Sequence, residues 1–466
     1  MNLKVTDLLR LKNTKVINTD AIEELKFKRV SIDSRKCGKN DLFFAIIGER
    51  FDGHDFVKGV LKGGTKCAVV NKKWYKKLSD ADKRSFKNKC FVTVDDTILS
   101  MGELANLYRR KFLIPLIGVA GSNGKTSAKD FIAHVLSKKY NVLKTEGNLN
   151  NAIGVPLTLF RLKEEHDFAV VELGTNHFKE IEYLCRIAKT QFGILTNIGK
   201  EHLEFLKDLK GVAKAEGELV EYLKETYGTF FLNADDKFIT KMPDRARMNV
   251  FSYGINGRVD VKGKIKKFNM FYPEVEIKYH NKTISTTLKN IGFQSFQAAL
   301  SSAAIGFYFE VPVNSIKRAV SEYKIESNKR NQLENINGVW VIDDTYNSNP
   351  DSVISALENL KAYKVKGNKY IALGDMLELG KTSKKEHYEI GKLIKKMKFD
   401  NLYTYGKDSY QTFLGAKGVK NNYWFQDKET LASFAMLNIR KGDVMLVKGS
   451  RSMKMEEIIQ HLSQNG

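Results

Sequence analysis

The sequence predicts an α/β protein built as three domains: a small N-terminal α/β domain over residues 1–112, a central parallel-sheet domain carrying an antiparallel patch over 113–316, and a C-terminal doubly wound, Rossmann-like domain over 317–466. Three observations lead there. At 466 residues the chain exceeds what a single hydrophobic core sustains. Short strands, apolar on both faces, alternate with helical periodicity in two separate series, which is the pattern of parallel sheets covered by helices. Between the two series, residues 258 to 288 switch to alternating polarity, as in Val275-Glu-Ile-Lys-Tyr279.

In chain order, the first domain rests on two compact apolar runs, Asp41-Leu-Phe-Phe-Ala-Ile-Ile47 and Cys67-Ala-Val-Val70. The central series opens with a strand Leu116-Ile-Gly-Val-Ala120, a glycine loop, and a helix with Phe131, Ile132, Val135 and Leu136 on one face. Strands follow at Phe168-Ala-Val-Val-Glu172, Phe192-Gly-Ile-Leu-Thr196 and Thr229-Phe-Phe-Leu232. After the alternating segment a helix is expected from Ser295 to Ile305. The third series places strands at Val339-Trp-Val-Ile-Asp343, Tyr370-Ile-Ala-Leu373, Leu402-Tyr-Thr-Tyr405 and Val444-Met-Leu-Val447.

Composition narrows the function. A hydrophobic fraction of 42% with 11% aromatics is that of a folded chain, not a disordered one. No stretch approaches the run of about 20 apolar residues that spans a membrane, and MNLKVTDLLRLKN lacks a signal-peptide core, so a cytoplasmic protein without membrane insertion is expected. Cys37, Cys67, Cys90 and Cys185 are scattered without CxxC spacing, which argues against a zinc site or a disulfide framework. The net charge of +23 suits either nucleic acid or a polyanionic small molecule. The lysines are spread over every segment without a basic stripe interleaved with aromatics, so no nucleic-acid partner is expected.

The chemistry concentrates in loops that follow strands. In Gly121, Ser122, Asn123, Gly124, Lys125, Thr126 and the adjoining Ser127, glycines let backbone N–H groups surround phosphate oxygens. The helix N-terminus and Lys125 add positive charge, and Thr126 offers a hydroxyl to magnesium. The strict Walker pattern is broken only at its first position, where Val119 stands. A nucleoside triphosphate is therefore expected. Glu172 ends one strand and His202 lies just beyond Thr196-Asn-Ile-Gly199 at the end of another. The carboxyl edge of a parallel sheet can bring both toward Thr126 and magnesium. The stretch Thr145-Glu-Gly-Asn-Leu-Asn-Asn-Ala-Ile-Gly-Val-Pro156 suits sugar or phosphate recognition and equally an Asx-stabilised turn. In the third domain Asp343-Asp-Thr-Tyr-Asn-Ser-Asn-Pro-Asp-Ser352, Gly374-Asp-Met-Leu-Glu-Leu-Gly380 and Lys448-Gly-Ser-Arg-Ser-Met453 share one rim, where ligands bind in such folds.

Taken together these motifs resemble the Mur ligases of bacterial cell-wall synthesis over nearly the full length. Ser31-Ile-Asp-Ser-Arg35 and Asp52-Gly-His-Asp-Phe56 are similar to the family's UDP-sugar domain, and GSNGKT, GNLNNAIGVP, VELGTN and TNIGKEH to its ATPase centre. DDTYNSNPDS, LGDMLELG and VKGSRSM are similar to the branch that joins D-alanyl-D-alanine to UDP-N-acetylmuramoyl-tripeptide. The resemblance implies a monomeric, ATP- and Mg2+-dependent ligase working through an acyl phosphate. It implies Lys125, Glu172, His202 and Glu216 as catalytic residues, with Arg330, Asp344 and Tyr346 reaching ATP from the third domain. Ser34, Arg35, Asn150, Asn151, Asn347 and Asn349 are implied on the substrates. The alternative is a catalytically altered homologue, or a related ligase with a different amino substrate.

Three positions depart from the family pattern. Glu216 stands where a carbamylated lysine is usual. The helix that presents an Asn-x-x-Asn pair to adenine reads Gly292-Phe-Gln-Ser-Phe-Gln-Ala-Ala-Leu300, so the pair becomes Ser295 and Ala298, or, shifted by one, Gln294 and Gln297. Leu206 replaces a usual glycine.

Overall fold

A computed structural model describes the whole chain except residues 2, 23, 24, 49, 50, 325–330 and 466. Among the described residues three sheets form, one per expected domain. The N-terminal sheet has five strands in the order Lys15–Ile17, Cys90–Val94, Cys67–Asn71, Asp41–Phe44, Arg29–Ser31, with only the first pairing antiparallel. The apolar runs read from the sequence supply its middle, and Leu42, Phe43, Val69 and Val92 are fully buried.

Nine strands make the central sheet. Leu116–Ala120 lies between Phe168–Glu172 and Phe192–Leu195, all parallel, so the loop after Ala120 opens at a point flanked by two other strand ends. That is the carboxyl edge at which α/β folds bind ligands. The alternating segment is no separate appendage. Val261–Asn269 pairs in parallel with Asn249–Gly254 and then antiparallel with Tyr272–Tyr279, which pairs with Lys282–Thr287, so the hairpins extend the same sheet. The expected helix runs longer than read, Gly292–Tyr308, and packs its buried Phe296, Ala299, Ala303 and Phe307 against this sheet and the helix Lys125–Leu136.

The expected boundary at 316/317 falls inside the helix Val313–Glu322. Its Ile316, Ala319 and Val320 are buried in the central core, so that helix belongs to the central domain. The third sheet runs Gln332–Ile336, Val339–Asp344, Val444–Lys448, Lys369–Leu373, Asn401–Tyr405, Asn421–Phe425, parallel except for the first pair. Its two outer strands escape the sequence reading because edge strands face water and carry polar residues such as Glu334, Asn335, Asn421 and Asn422.

The first two domains are joined tightly. Arg109, buried at the end of the helix Thr97–Arg109, donates to the carbonyls of Ala188, Phe112 and Ile114 at 3.0, 2.6 and 2.8 Å. The same helix packs on Glu180–Ala188, where Gly102 leaves room for Tyr183 and Ile187.

Candidate active site

The phosphate loop is shaped by two glycines in left-handed backbone conformations, Gly121 at φ +113° and Gly124 at φ +79°. At Gly121 a side chain would collide with Thr196, whose Oγ1 lies 2.4 Å from where a Cβ would stand, so only glycine fits there. The loop is braced by the neighbouring strand end: Ser122 N–H donates to the Asn197 carbonyl at 2.9 Å and Asn123 N–H to Asn197 Oδ1 at 3.1 Å. Thr126 is buried on the first helical turn, with Ser127 half-buried beside it. Lys125 Nζ folds back onto the loop, donating to the carbonyls of Gly121 at 2.6 Å and Ser122 at 3.2 Å.

Three carboxylates surround this loop at different points. Glu172, buried at its strand end, accepts from Asn150 Nδ2 at 2.9 Å through Oε1. Glu216, fully buried, accepts from Gly121 N–H at 2.6 Å through Oε2. The other oxygens of both, Glu172 Oε2 and Glu216 Oε1, have no hydrogen-bond partner among the described residues. Buried acceptors left unpaired are costly unless a ligand satisfies them. Glu201, which the sequence reading passed over although it adjoins His202, lies 3.6 Å from Lys125 Nζ and 3.9 Å from His202 Nε2. Burial pushes its carboxyl well above the usual range, Lys125 opposes that, and the nearby Glu216 adds to it.

Among the described residues no three His, Cys, Asp or Glu side chains gather closely enough to hold a metal by themselves. Magnesium needs only one or two carboxylates from a protein and takes phosphates and water for the rest. The unpaired buried Oε2 of Glu172, close to a hydroxyl-bearing phosphate loop, fits such a partial site.

The third domain closes onto this edge at several points. Asn349 Nδ2 donates to Asn123 Oδ1 in the phosphate loop at 3.0 Å. Lys200 N–H donates to Asp351, and Lys200 Nζ pairs with both oxygens of Glu386 at 2.8 and 2.9 Å. His202 Nδ1 meets Glu378 Oε2 at 2.7 Å, and this hydrogen bond holds the Glu378 carboxyl below its usual range. Glu378 sits in the polar loop LGDMLELG and Lys200 in TNIGKEH, but neither carries a signal of its own for these contacts, and Glu386 lies outside the motifs.

Asn151 spends its side-chain oxygen on the N–H groups of Ile153 and Gly154, the Asx turn that the sequence left open. Asn349 caps the helix Pro350–Ala362 as well as reaching Asn123. Asp344 pairs with the buried Lys448 at 2.7 Å, and Asn347 supplies a carbonyl to the same lysine at 2.9 Å. Tyr346 lines a cavity of the third domain with Gln332, Asp343, Arg451 and Glu456. Ser34 and Arg35 follow the strand Arg29–Ser31, where Arg35 is exposed and forked onto Asp33 at 2.9 and 3.0 Å. Arg330 lies outside the described residues.

A cleft beside Asn123 and Gly124 is lined by Gln294, Gln297, Ala298 and Ser301 of the long helix and by Asn233, Asp235 and Tyr253 opposite. Of the two candidate pairs on that helix, Gln294 and Gln297 both line this cleft, as does Ala298, and the Gln294 amide is engaged with the third-domain helix Pro350–Ala362, donating to Ser355 Oγ at 2.5 Å and accepting from Asn359 Nδ2 at 2.6 Å. Ser295 turns inward and donates to the carbonyls of Asn290 and Gly292 at 2.9 and 2.8 Å. Leu206 is buried in the core, docking the short helix Leu203–Leu206 beside His202.

Comparison with known proteins places these features in a lineage. Residues 26–109, 119–306 and 329–451 match the models described as the Mur ligase family catalytic domain, the Mur ligase middle domain and the Mur ligase glutamate ligase domain. The UDP-N-acetylmuramoyl-tripeptide--D-alanyl-D-alanine ligase of Bacillus subtilis is 31% identical across 95% of this chain and 94% of its own length. The Escherichia coli protein of the same name is 32% identical across 95% of each. A crystal structure of MurF from Acinetobacter baumannii superposes with a TM-score of 0.89 at 26% identity, over 100% of this chain and 99% of that one. MurF ligase from Thermotoga maritima in complex with ADP gives 0.83 at 25% identity, over 94% and 97%.

Proposed function

The chain belongs to the Mur ligase family, and from that premise we infer that it joins D-alanyl-D-alanine to UDP-N-acetylmuramoyl-tripeptide by an amide bond during peptidoglycan synthesis. It is an ADP-forming, ATP-dependent ligase. The observation that carries the reading is the junction at Asn123, where a phosphate loop of the central sheet is bonded directly to the Asp343–Ser352 loop of the third domain.

The peptide carboxylate attacks the γ-phosphorus of ATP and ADP leaves. The dipeptide amine then attacks the acyl phosphate, loses a proton, and releases inorganic phosphate. Charge on the transferring phosphoryl group must be neutralised where it develops. The backbone N–H groups of residues 121–127 and Lys125 are suited to that. Magnesium, when bound, polarises and screens the phosphate oxygens, and Thr126, Glu172 and His202 are the residues we assign to it. Glu216 supplies, without modification, the buried negative charge that a carbamylated lysine brings in the resembled family. The cleft lined by Gln294 and Gln297 is assigned to the base of the nucleotide. On the substrate side we assign Ser34, Arg35, Asn150 and Asn347.

No described helix is long and apolar enough to cross a membrane. We propose a monomer acting in the cytoplasm, where ATP and a UDP-linked precursor meet. Phosphate release with ATP, magnesium and UDP-N-acetylmuramoyl-tripeptide, with and without D-alanyl-D-alanine, tests the function. Turnover indifferent to the dipeptide would refute it.

A further inference from the structure

His202 and Glu378 face one another across the boundary between the central and third domains, and both hold left-handed backbone conformations, at φ +48° and φ +62°. Non-glycine residues adopt that conformation at a cost, and it persists where the surroundings dictate it. Around Glu378 they do. Behind it, Met376 N–H donates to Nε2 of the buried His387 at 2.9 Å and Leu377 N–H donates to Ser450 Oγ at 2.9 Å. In front, the Glu378 carbonyl accepts from Glu204 N–H at 3.3 Å, and Gly380, at φ +53°, sits against Glu204. The loop is fixed from both sides, and its one projecting carboxylate ends 2.7 Å from His202 Nδ1. The other ring nitrogen looks the opposite way, toward Glu201 and Lys125 at the phosphate loop.

We propose that Glu378 is a positioning residue acting through His202. By accepting the Nδ1 proton, it fixes the imidazole in the tautomer whose Nε2 lone pair faces the phosphate loop, and it does so only when the third domain is closed. A histidine whose second nitrogen is held by a carboxylate is fixed in both tautomer and ring orientation, and loss of such a partner lowers metal affinity or activity by about 10- to 100-fold. The closed arrangement and the competent imidazole are thus one event. An open third domain leaves His202 free to rotate and to exchange tautomers. The catalytic consequence rests on the ligase reading above, whereas the tautomer does not.

The experiment uses full-length protein labelled with 15N-histidine, the His202 signals being assigned with His202→Gln. In the presence of magnesium and the non-hydrolysable analogue AMP-PNP, wild-type His202 should show a single Nδ1–H tautomer. Glu378→Ala should lose it and lower kcat by about 10- to 100-fold, with KM for both substrates within about twofold. Glu378→Gln retains an oxygen acceptor and should restore the tautomer and most of kcat. Glu386→Gln breaks the Lys200 pair without touching His202, and should leave the tautomer unchanged. An unaltered tautomer in Glu378→Ala overturns the proposal, as does an altered tautomer with wild-type kcat. If the wild-type protein shows no dipeptide-dependent turnover, the ligase reading falls, while the tautomer comparison still decides whether Glu378 orients His202.

Discussion

Asn349 of the third domain donates its side-chain N–H to Oδ1 of Asn123 in the phosphate loop at 3.0 Å, while its own Oδ1 accepts from Ser352 N–H at 2.8 Å. One side chain therefore both starts a helix and ties that helix to the nucleotide site. Asn349→Ala should destabilise the third domain by about 1 kcal/mol through the lost cap. It should also lower kcat/KM for ATP by roughly tenfold, in proportion to one buried hydrogen bond. Asn349→Asp keeps the cap but cannot donate to Asn123, so it should retain stability and show only the kinetic loss. Urea unfolding and steady-state kinetics on the two variants separate the effects.

Glu216→Gln keeps an oxygen for Gly121 N–H but removes the charge. If Glu216 supplies the negative charge assigned to it, initial rates measured across a magnesium titration should fall by about 10-fold or more, with half-saturation moved to higher magnesium. Unchanged kinetics would reduce Glu216 to a brace for the loop.

The seam between the first two domains offers a purely steric test. A methyl group at position 102 would lie 2.2 Å from the Tyr183 hydroxyl and 2.8 Å from Ile187 Cδ1. Gly102→Ala should therefore destabilise by about 1–3 kcal/mol despite its better helix propensity. Because the Tyr183 hydroxyl is buried without a hydrogen-bond partner among the described residues, Tyr183→Phe alone should cost little, and it should recover much of the loss in the double variant. Thermal unfolding of the three variants checks this.

Burial pushes the imidazole of His134 below its ordinary value, with Lys138 and Lys144 adding to the effect. It packs against Tyr323 with ring centroids 4.9 Å apart. The unfolded state then binds the proton more readily than the folded one, so stability should decline as pH falls below about 6.5 toward the lower folded value. His166 shifts in the same sense. Urea midpoints measured between pH 7 and 5 should fall less steeply in His134→Gln than in the wild type.

Much of the site was legible where chemistry and secondary structure coincide in a short stretch. The phosphate loop follows its strand and opens its helix as read, and Glu172 ends its strand. What escaped were contacts made across domains. Nothing local to LGDMLELG says that Glu378 meets His202, because that depends on how two separately folded sheets approach one another. Glu201 was hidden in another way: beside a histidine in a loop, its burial is a tertiary property. The edge strands Gln332–Ile336 and Asn421–Phe425 were missed because each is short and interrupted by polar residues, Glu334 and Asn335 in one and Asn421 and Asn422 in the other, so neither shows the continuous apolar run of the inner strands. The alternating polarity over 261–287 does mark antiparallel hairpins, but only pairing in space reveals that Tyr253 opposite Val261 joins them to the parallel sheet.

Lys125 is already engaged, its ammonium shared between the Gly121 and Ser122 carbonyls at 2.6 and 3.2 Å and near Glu201. An arriving triphosphate cannot simply add a new attraction; it has to outcompete contacts the lysine already makes. The net gain from the cation is thus the difference between its contacts with phosphate oxygens and the carbonyl contacts it gives up. Two consequences follow. Affinity for nucleotide should depend less on this lysine than its charge suggests, and the swap should favour the ligand that offers the densest negative charge, discriminating triphosphate from diphosphate before any chemistry begins.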